Sequence, residues 1–336
     1  MIAFSITRAD AGQRLDKYLK RILPEANSSF IFKMLRKKNI ELNHHKAEGK
    51  ELLQEGDEVL LFFSDETYAK FAKAPKPLPL NEYQKAHTIL RGINVLYLDA
   101  DVCILEKPAG ILSQKSKPQD LSANEWLIGE LLSREKITAD SLSHFKPSVC
   151  NRLDRNTSGL LLCGISLPGS RVLSELLQDR SLQKYYLTYV QGRISKEMTL
   201  DGYLRKDEIQ NKVQISTKAV KDAARIQTAY QPIAYHPAQD VTLLKVHLIT
   251  GKTHQIRAHL SSIGHPLIGD VKYGGPLLPG WPKHQLLHAY QVIFPELETL
   301  PALSGKEVIS MPSGVMKQQG EKLCQHGTPE VFADLP

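Results

Sequence analysis

The 336-residue sequence predicts an α+β fold: a domain built on a mainly antiparallel mixed sheet, preceded by a small α/β module. Three observations predict it. Strand-like apolar runs outnumber helical ones and connect through turns more often than through the full helical crossovers a doubly wound sheet requires. Two short amphipathic helices and their strands are segregated at the amino end. A stretch with prolines at alternate positions, Ala74-Pro75-Lys76-Pro77-Leu78-Pro79-Leu80, then interrupts the periodicity.

The module is expected over residues 1–63. From Arg14 to Leu23, Leu15, Tyr18, Leu19 and Ile22 recur at helical spacing and leave Arg14, Lys17, Lys20 and Arg21 on the polar side. A second helix is expected to begin at Ser28 or Ser29, either suited to cap it, and to send Ile31, Met34 and Leu35 toward a core. Ile40-Glu41-Leu42 alternates as a strand does, and Gly56 to Phe62 reads as a turn entering another. Lys33, Arg36, Lys37 and Lys38 share one short element without an acid. Such an edge suits phosphates, which reward positive charge without sequence readout, and it equally suits a solvated helix face.

Residues 64–88 are expected to be a stiffened linker. The large domain is expected over residues 89–316, followed by a loosely attached tail over 317–336. It opens with Val95 to Asp99 and Val102 to Leu105, two apolar strands separated by a turn. Helices are expected over Leu121 to Leu132 and Val172 to Gln178. Further strands are expected over Tyr185 to Val190, Val213 to Ser216, Ala224 to Gln231, Val241 to Leu248 and Leu286 to Phe294.

With 42% apolar and 24% charged residues the chain has the composition of a soluble globular protein. Its amino end gains charge at once and reads as neither a secretory signal nor a membrane span. Four cysteines without a CxxC pair argue against a disulfide scaffold or a structural zinc site, so a reducing, cytoplasmic setting is expected. The net charge of +7 is compatible with an anionic partner. No heptad pattern is present, and a monomer is expected.

Two clusters carry candidate chemistry. In Asn151-Arg152-Leu153-Asp154-Arg155-Asn156-Thr157-Ser158-Gly159, an extended chain puts Arg152 and Asp154 on one side and Leu153 on the other, ahead of a turn over Asn156 to Gly159. A carboxylate flanked by guanidiniums stays ionised, as a nucleophile or base requires, and the same arrangement fits a structural ion pair closing a turn. In Thr250 to His265, Thr253 is expected to cap a helix that buries Ile256, Leu260 and Ile263 and presents His254, Arg257 and Ser261 elsewhere. The histidines at 254, 259 and 265 lack the HExxH spacing, so no metal is expected. Gly251-Lys252-Thr253 has no glycine at 246, and GxGxxG is absent, which leaves no phosphate loop. Between the clusters, Lys184, Tyr186 and Thr188 alternate with Tyr185, Leu187 and Tyr189. A tyrosine of this strand can stack on a nucleobase or fill a core.

The segments LEKPAGIL, NRLDRNTSGLLL, KYYLTYVQG, TGKTHQIRAHLSSIGHPLIGDVKYGG and LLHAYQVIF, spread in order over about residues 95–312, resemble the successive motifs of the RluA family of RNA pseudouridine synthases. RLDKYLK, SSFIFKMLRKKNIELN and EGDEVLLFF resemble an S4-like RNA-binding module, a layout similar to the large-subunit ribosomal RNA members of that family. The resemblance implies the pseudouridine synthase catalytic fold and the isomerisation of uridine in RNA by N-glycosidic cleavage, rotation of the base and C1′–C5 bond formation. It implies Asp154 as the catalytic aspartate, Tyr186 as the tyrosine that stacks on the base and assists proton removal from C5, Arg257 as the aspartate's basic partner, and Arg152 as the residue that fills the space of the flipped nucleotide. Asn151, Ile256 and Leu260 would support the site, and Arg155 and Lys252 would join the module's basic edge in binding RNA. The isomerisation balances without a cofactor, and none is expected. The family most often has His where Asn151 stands; asparagine orients but does not titrate. Lys252 replaces a commoner arginine and loses its fork of donors. The expected partner is large-subunit ribosomal RNA. Transfer RNA is the alternative substrate, and a noncatalytic RNA-binding assembly protein is the competing class.

Overall fold

In the computed structural model, which describes residues 1–7, 10–72, 78–207 and 212–324, the amino-terminal pattern folds as β1 (Ile2–Ser5), α1 (Leu15–Ile22), α2 (Ser28–Arg36), β2 (Ile40–Leu42), β3 (His45–Lys46) and β4 (Glu58–Leu61). The strands form an antiparallel sheet in the order β1-β4-β2-β3. Leu15 and Leu19 of α1 and Ile31 and Leu35 of α2 are buried against Ile40, Val59 and Leu61, on the faces that the spacing assigns. The cap of α2 is Asn27 rather than a serine: its Oδ1 accepts the Phe30 N–H at 2.8 Å.

The expected linker is helical on both sides of its prolines. Ser64 caps α3 (Asp65–Phe71), whose Tyr68 and Phe71 join the module's core, the Phe71 ring 4.1 Å from that of Phe30. α4 (Leu80–Ile89) buries Tyr83 against Ile128 and Leu142 of the larger part. These two helices are too short to announce themselves by period and are fixed by aromatic contacts distant in sequence. Pro75 and Pro77 lie outside the described residues. Arg21 of α1 also reaches the larger part, with Nη1 3.2 Å from His144 Nδ1.

The larger part continues as β5 (Asn94–Leu98), β6 (Val102–Lys107), α5 (Ala123–Ser133), α6 (Ser141–His144), β7 (Ser148–Val149), β8 (Thr157–Gly164) and α7 (Leu167–Asp179). Then come β9 (Gln183–Gln191), β10 (Met198–Asp207), β11 (Lys212–Ser216), β12 (Ala224–His236), β13 (Val241–His247) and α8 (Gln255–Ser262). A short 3-10 turn (Val271–Tyr273), β14 (Leu287–Ile293), β15 (Glu307–Ile309) and α9 (Gly314–Cys324) complete it. The eleven strands form one sheet in the order β11-β10-β12-β13-β9-β14-β8-β6-β5, with β15 beside β14 and β7 beside β8. β14 runs parallel to β8 and the other strand pairs among the described residues are antiparallel, so the α+β mixed-sheet expectation describes the fold.

The central strands are buried on both faces. Tyr186 and Val190 of β9 join Leu127 and Leu131 of α5, Leu173 of α7 and Leu260 of α8, whereas Leu187 and Tyr189 pack with Trp281, Tyr290 and Met316. Gly159 is in β8 and not in a turn; its φ is +103°, and a Cβ there would lie 2.1 Å from the Ala289 carbonyl oxygen. The close pairing of β8 with β14 therefore requires glycine. Met316, at the end of the expected domain, is buried and its carbonyl accepts the Tyr189 hydroxyl at 2.8 Å; of the expected tail, residues 317–324 continue α9, where Gln319 is buried and its Nε2 donates to the Gly280 carbonyl at 3.2 Å. Residues 325–336 lie outside the described residues.

Candidate active site

Asp154 sits in the loop between β7 and β8, and the chain is pinned on both sides of it. The Leu153 N–H donates to Ser113 Oγ at 3.0 Å and the Ser113 hydroxyl donates back to the Leu153 carbonyl at 2.9 Å. The Asp154 carbonyl accepts from Thr157 N, and the Arg155 carbonyl accepts from Gly110 N, at 3.0 and 2.8 Å. Leu153 is buried while Arg152 is exposed and Asp154 half-buried, as expected of an extended segment; Arg155, on the Leu153 side by alternation, is exposed because the chain turns there. Beneath the loop, Lys107 is fully buried and donates to the carbonyls of Pro108, Ile111 and Arg155 at 2.9, 2.9 and 3.2 Å. Burial pushes its amine down to about 7, and the nearby Asp154 charge opposes that shift.

Arg257, on α8, is the partner of Asp154, and it has a second one. Nη1 donates to Asp154 Oδ2 at 2.8 Å, while Nε and Nη2 grip Asp270 Oδ2 and Oδ1 at 2.6 and 2.8 Å. Asp270 is almost wholly buried, so the bidentate pair fixes the guanidinium and aims one remaining edge at Asp154. Burial disfavours the charged guanidinium, but the two carboxylates outweigh it and hold Arg257 above the ordinary arginine range.

The helix carrying Arg257 starts differently from the expectation. His254, not Thr253, occupies the cap position and uses no side-chain cap bond. Gln255 does the orienting: its Oε1 accepts from Lys252 N and Thr250 Oγ1, and its Nε2 donates to the Gln227 carbonyl and Thr228 Oγ1 on β12. Ile256 and Leu260 are buried as expected, whereas Ile263 is exposed because α8 ends at Ser262. The three histidines do not converge. His254 meets Tyr273, His259 meets Thr228 and His265 meets the Gln191 carbonyl.

Arg152, Asp154, Tyr186, Lys252, Ile256 and Arg257 line one cleft of about 60 Å³, together with Leu153, Thr157, Leu248, His254, Gln255 and Leu287. Charged groups thus share the cleft with a tyrosine and aliphatic side chains, a lining that suits a flat polar ring bearing a sugar phosphate. Burial, with Asp154 second, raises the Tyr186 hydroxyl well above the ordinary tyrosine range and keeps it protonated. Asn151 is behind the cleft: its Oδ1 accepts Leu162 N at 2.7 Å and its Nδ2 donates to the Leu160 carbonyl at 3.4 Å, registering the loop against β8. Leu260 lies in the core and Arg155 outside the cleft lining. Lys33, Arg36, Lys37 and Lys38 are exposed on and just after α2. Reading by residue type and motif missed Asp270, Ser113 and the role of Lys107. An acid thirteen residues beyond Arg257 and a lysine entering a Pro-Ala-Gly turn were the available signals, but only the fold brings them to the aspartate loop.

The sequence and the fold have counterparts. Residues 101–262 match the family described as RNA pseudouridylate synthase. An uncharacterized RNA pseudouridine synthase of Aquifex aeolicus is 31% identical over 78% of this chain and 77% of its own, and another uncharacterized one, of Mycoplasma genitalium, is 27% identical over 93% and 96%. A ribosomal large subunit pseudouridine synthase C of Rickettsia bellii is 29% identical over 88% and 92%. Among solved structures, the human RNA pseudouridylate synthase domain containing 4 superposes with a TM-score of 0.54 at 21% identity, covering 73% of this chain and 98% of that one, a likeness of fold. With sequence and fold in agreement, this chain belongs to the RNA pseudouridine synthases, isomerases that act on RNA.

Proposed function

We propose that the chain is an RluA-type enzyme that converts specific uridines of large-subunit ribosomal RNA to pseudouridine, with Asp154 starting the cleavage of the N-glycosidic bond. The observation that carries the reading is the Asp154–Arg257 pair, held at 2.8 Å in a cleft that also contains Tyr186. An ionised carboxylate held beside a fixed cation is poised for chemistry at the sugar. Arg152, exposed at the mouth of the cleft, takes the space that the target base leaves when it flips out of its stack. Tyr186 stacks on the base, and its protonated hydroxyl assists loss of the C5 proton by hydrogen bonding rather than as a phenolate. Ile256 supports the base from the cleft wall, Asn151 and Leu260 support the loop and helix, and Lys252 and Arg155 hold RNA phosphates. The amino-terminal module acts as an S4-like RNA-binding unit through Lys33, Arg36, Lys37 and Lys38.

Similarity to several Rickettsia proteins named for the ribosomal large subunit supports the choice of ribosomal RNA. Mapping pseudouridine across total RNA from matched cells with and without the gene tests the reading. Loss at a reproducible position in large-subunit ribosomal RNA is expected; loss confined to transfer RNA would overturn the substrate assignment.

A further inference from the structure

His254 is a titratable side chain of the cleft for which the reading above has no task. It adopts a left-handed backbone, φ +54° and ψ +15°, just before α8. Holding a residue other than glycine there costs on the order of 1 kcal/mol, so its surroundings must fix the ring in place. Those surroundings also favour one place for its hydrogen. His254 Nδ1 is 2.9 Å from the Tyr273 hydroxyl, and the Tyr273 oxygen already accepts the Val213 N–H at 3.1 Å. A phenol has one hydrogen to give, and Nδ1 is the acceptor in reach. Burial raises the Tyr273 hydroxyl above its ordinary range, so that hydrogen is retained. A neutral ring accepting at Nδ1 must carry its own hydrogen on Nε2. That nitrogen faces the cleft 3.8 Å from Asp154 Oδ2, beyond hydrogen-bond distance. Burial disfavours the imidazolium, as do Arg257 and Lys272, against Asp154 and Asp270.

We propose that His254 is a catalytic residue, a neutral Nε2–H donor that hydrogen-bonds the uracil ring as it leaves C1′ with the electron pair of the broken N-glycosidic bond. This rests on the reading of Asp154 given above. The departing ring is an anion whose charge spreads from N1 to O2 and O4, and a donor already oriented in a cleft stabilises charge that develops only as the bond breaks. The isomerisation then turns the ring so that C5 takes the place of N1. The same turn exchanges O2 with O4, so one fixed donor meets an equivalent acceptor before and after rotation. The proton stays on Nε2 throughout; N1 gains one and C5 loses one by other routes.

The tautomer is measured on the whole protein by NMR of 15N-labelled histidine, with the His254 signals identified by their loss in His254→Ala. Unprotonated Nδ1 and protonated Nε2 at pH 7 are expected, and the preference should weaken in Tyr273→Phe. Hydrogen on Nδ1, or a cationic ring, would overturn the proposal without bearing on Asp154. In single-turnover reactions His254→Ala should bind RNA within a few-fold of wild type and react about 100-fold more slowly. With RNA carrying 5-fluorouridine, whose ring leaves as a more stable anion and has no C5 proton to lose, N-glycosidic cleavage is the step followed, and the loss should be smaller. A rate within threefold of wild type, or an equal loss with both RNAs, refutes the donor role; if His254→Ala does not fold, His254→Phe, which keeps a ring and removes the donor, is put to the same comparison and judged by the same outcomes. Asp154→Asn, assayed beside them, should be inactive on both RNAs, and its activity would overturn the reading of the aspartate separately.

Discussion

Arg257→Met leaves the Asp270 carboxylate buried without the guanidinium that grips it, and this sets the size of the effect. Asp270 is 1% exposed and receives two charge-assisted bonds of 2.6 and 2.8 Å. Removing one member of such a buried pair destabilises by about 3–5 kcal/mol. For a domain of this size each kcal/mol lowers Tm by about 2–4 °C, so a fall of roughly 6–20 °C is expected. Asp270→Asn keeps Asp154 as a partner for Arg257, and its loss should be nearer 1.5–3 kcal/mol, the worth of a hydrogen bond to a charged group. The double variant Arg257→Met/Asp270→Asn strands no charge. It should be at least as stable as Arg257→Met alone, with a coupling of about 2–3 kcal/mol in the cycle. Its turnover should nevertheless stay as low as that of Arg257→Met, because the cation beside Asp154 is gone in both. Denaturant unfolding and single-turnover conversion of RNA measure the two quantities separately. Additive destabilisation, or near-normal conversion by folded Arg257→Met, would refute the argument.

Lys107 gives a pH signature. Its folded value near 7 lies below the ordinary 10.5, so between those values the unfolded chain binds a proton that the folded chain has shed. Stability should therefore rise with pH through that window relative to Lys107→Met, by up to ~1.4 kcal/mol per pH unit, and the rise should cease below pH 7; a flat difference between the two proteins in denaturant unfolding contradicts it. Replacing Lys33, Arg36, Lys37 and Lys38 together by glutamine should reduce the slope of log affinity against log salt by about 3 to 4 if all four touch phosphates. An unchanged slope makes that edge a solvated face. Arg152→Ala should impair opening of the RNA, followed by a fluorescent base beside the target uridine, more than binding. Normal opening with slow chemistry would place Arg152's action after flipping.

How far the site was legible follows from how local each signal is. The strand period of β9 and the helical spacing of α1 are read within a few residues, and the structure keeps them. Asp154, Arg257 and Tyr186, 32 to 103 residues apart in pairs along the chain, were singled out from their surrounding motifs, and the fold gathers them into one cleft. Asn151 was expected to orient rather than titrate, and it does so through backbone bonds to β8. Asp270 escaped because an isolated acid in a loop has no period and its meaning lies entirely in the buried guanidinium it meets. Lys107 escaped for a similar reason: a lysine reads as exposed until the three carbonyls that surround its amine are known. The helices α3 and α4 were hidden by nearby prolines, and Thr253 is not the cap because that position falls one residue later, at His254, and the Gln255 N–H goes to the Lys252 carbonyl.

The central claim is that the Asp154 carboxylate performs the chemistry, and Asp154→Asn tests it with little change of shape. Single-turnover conversion is measured with RNA fully bound, so affinity and reaction are separated. The account predicts RNA binding within a few-fold of wild type and no pseudouridine formed, because an amide oxygen cannot replace the charged one. Substantial pseudouridine formation by the folded Asp154→Asn protein would contradict it.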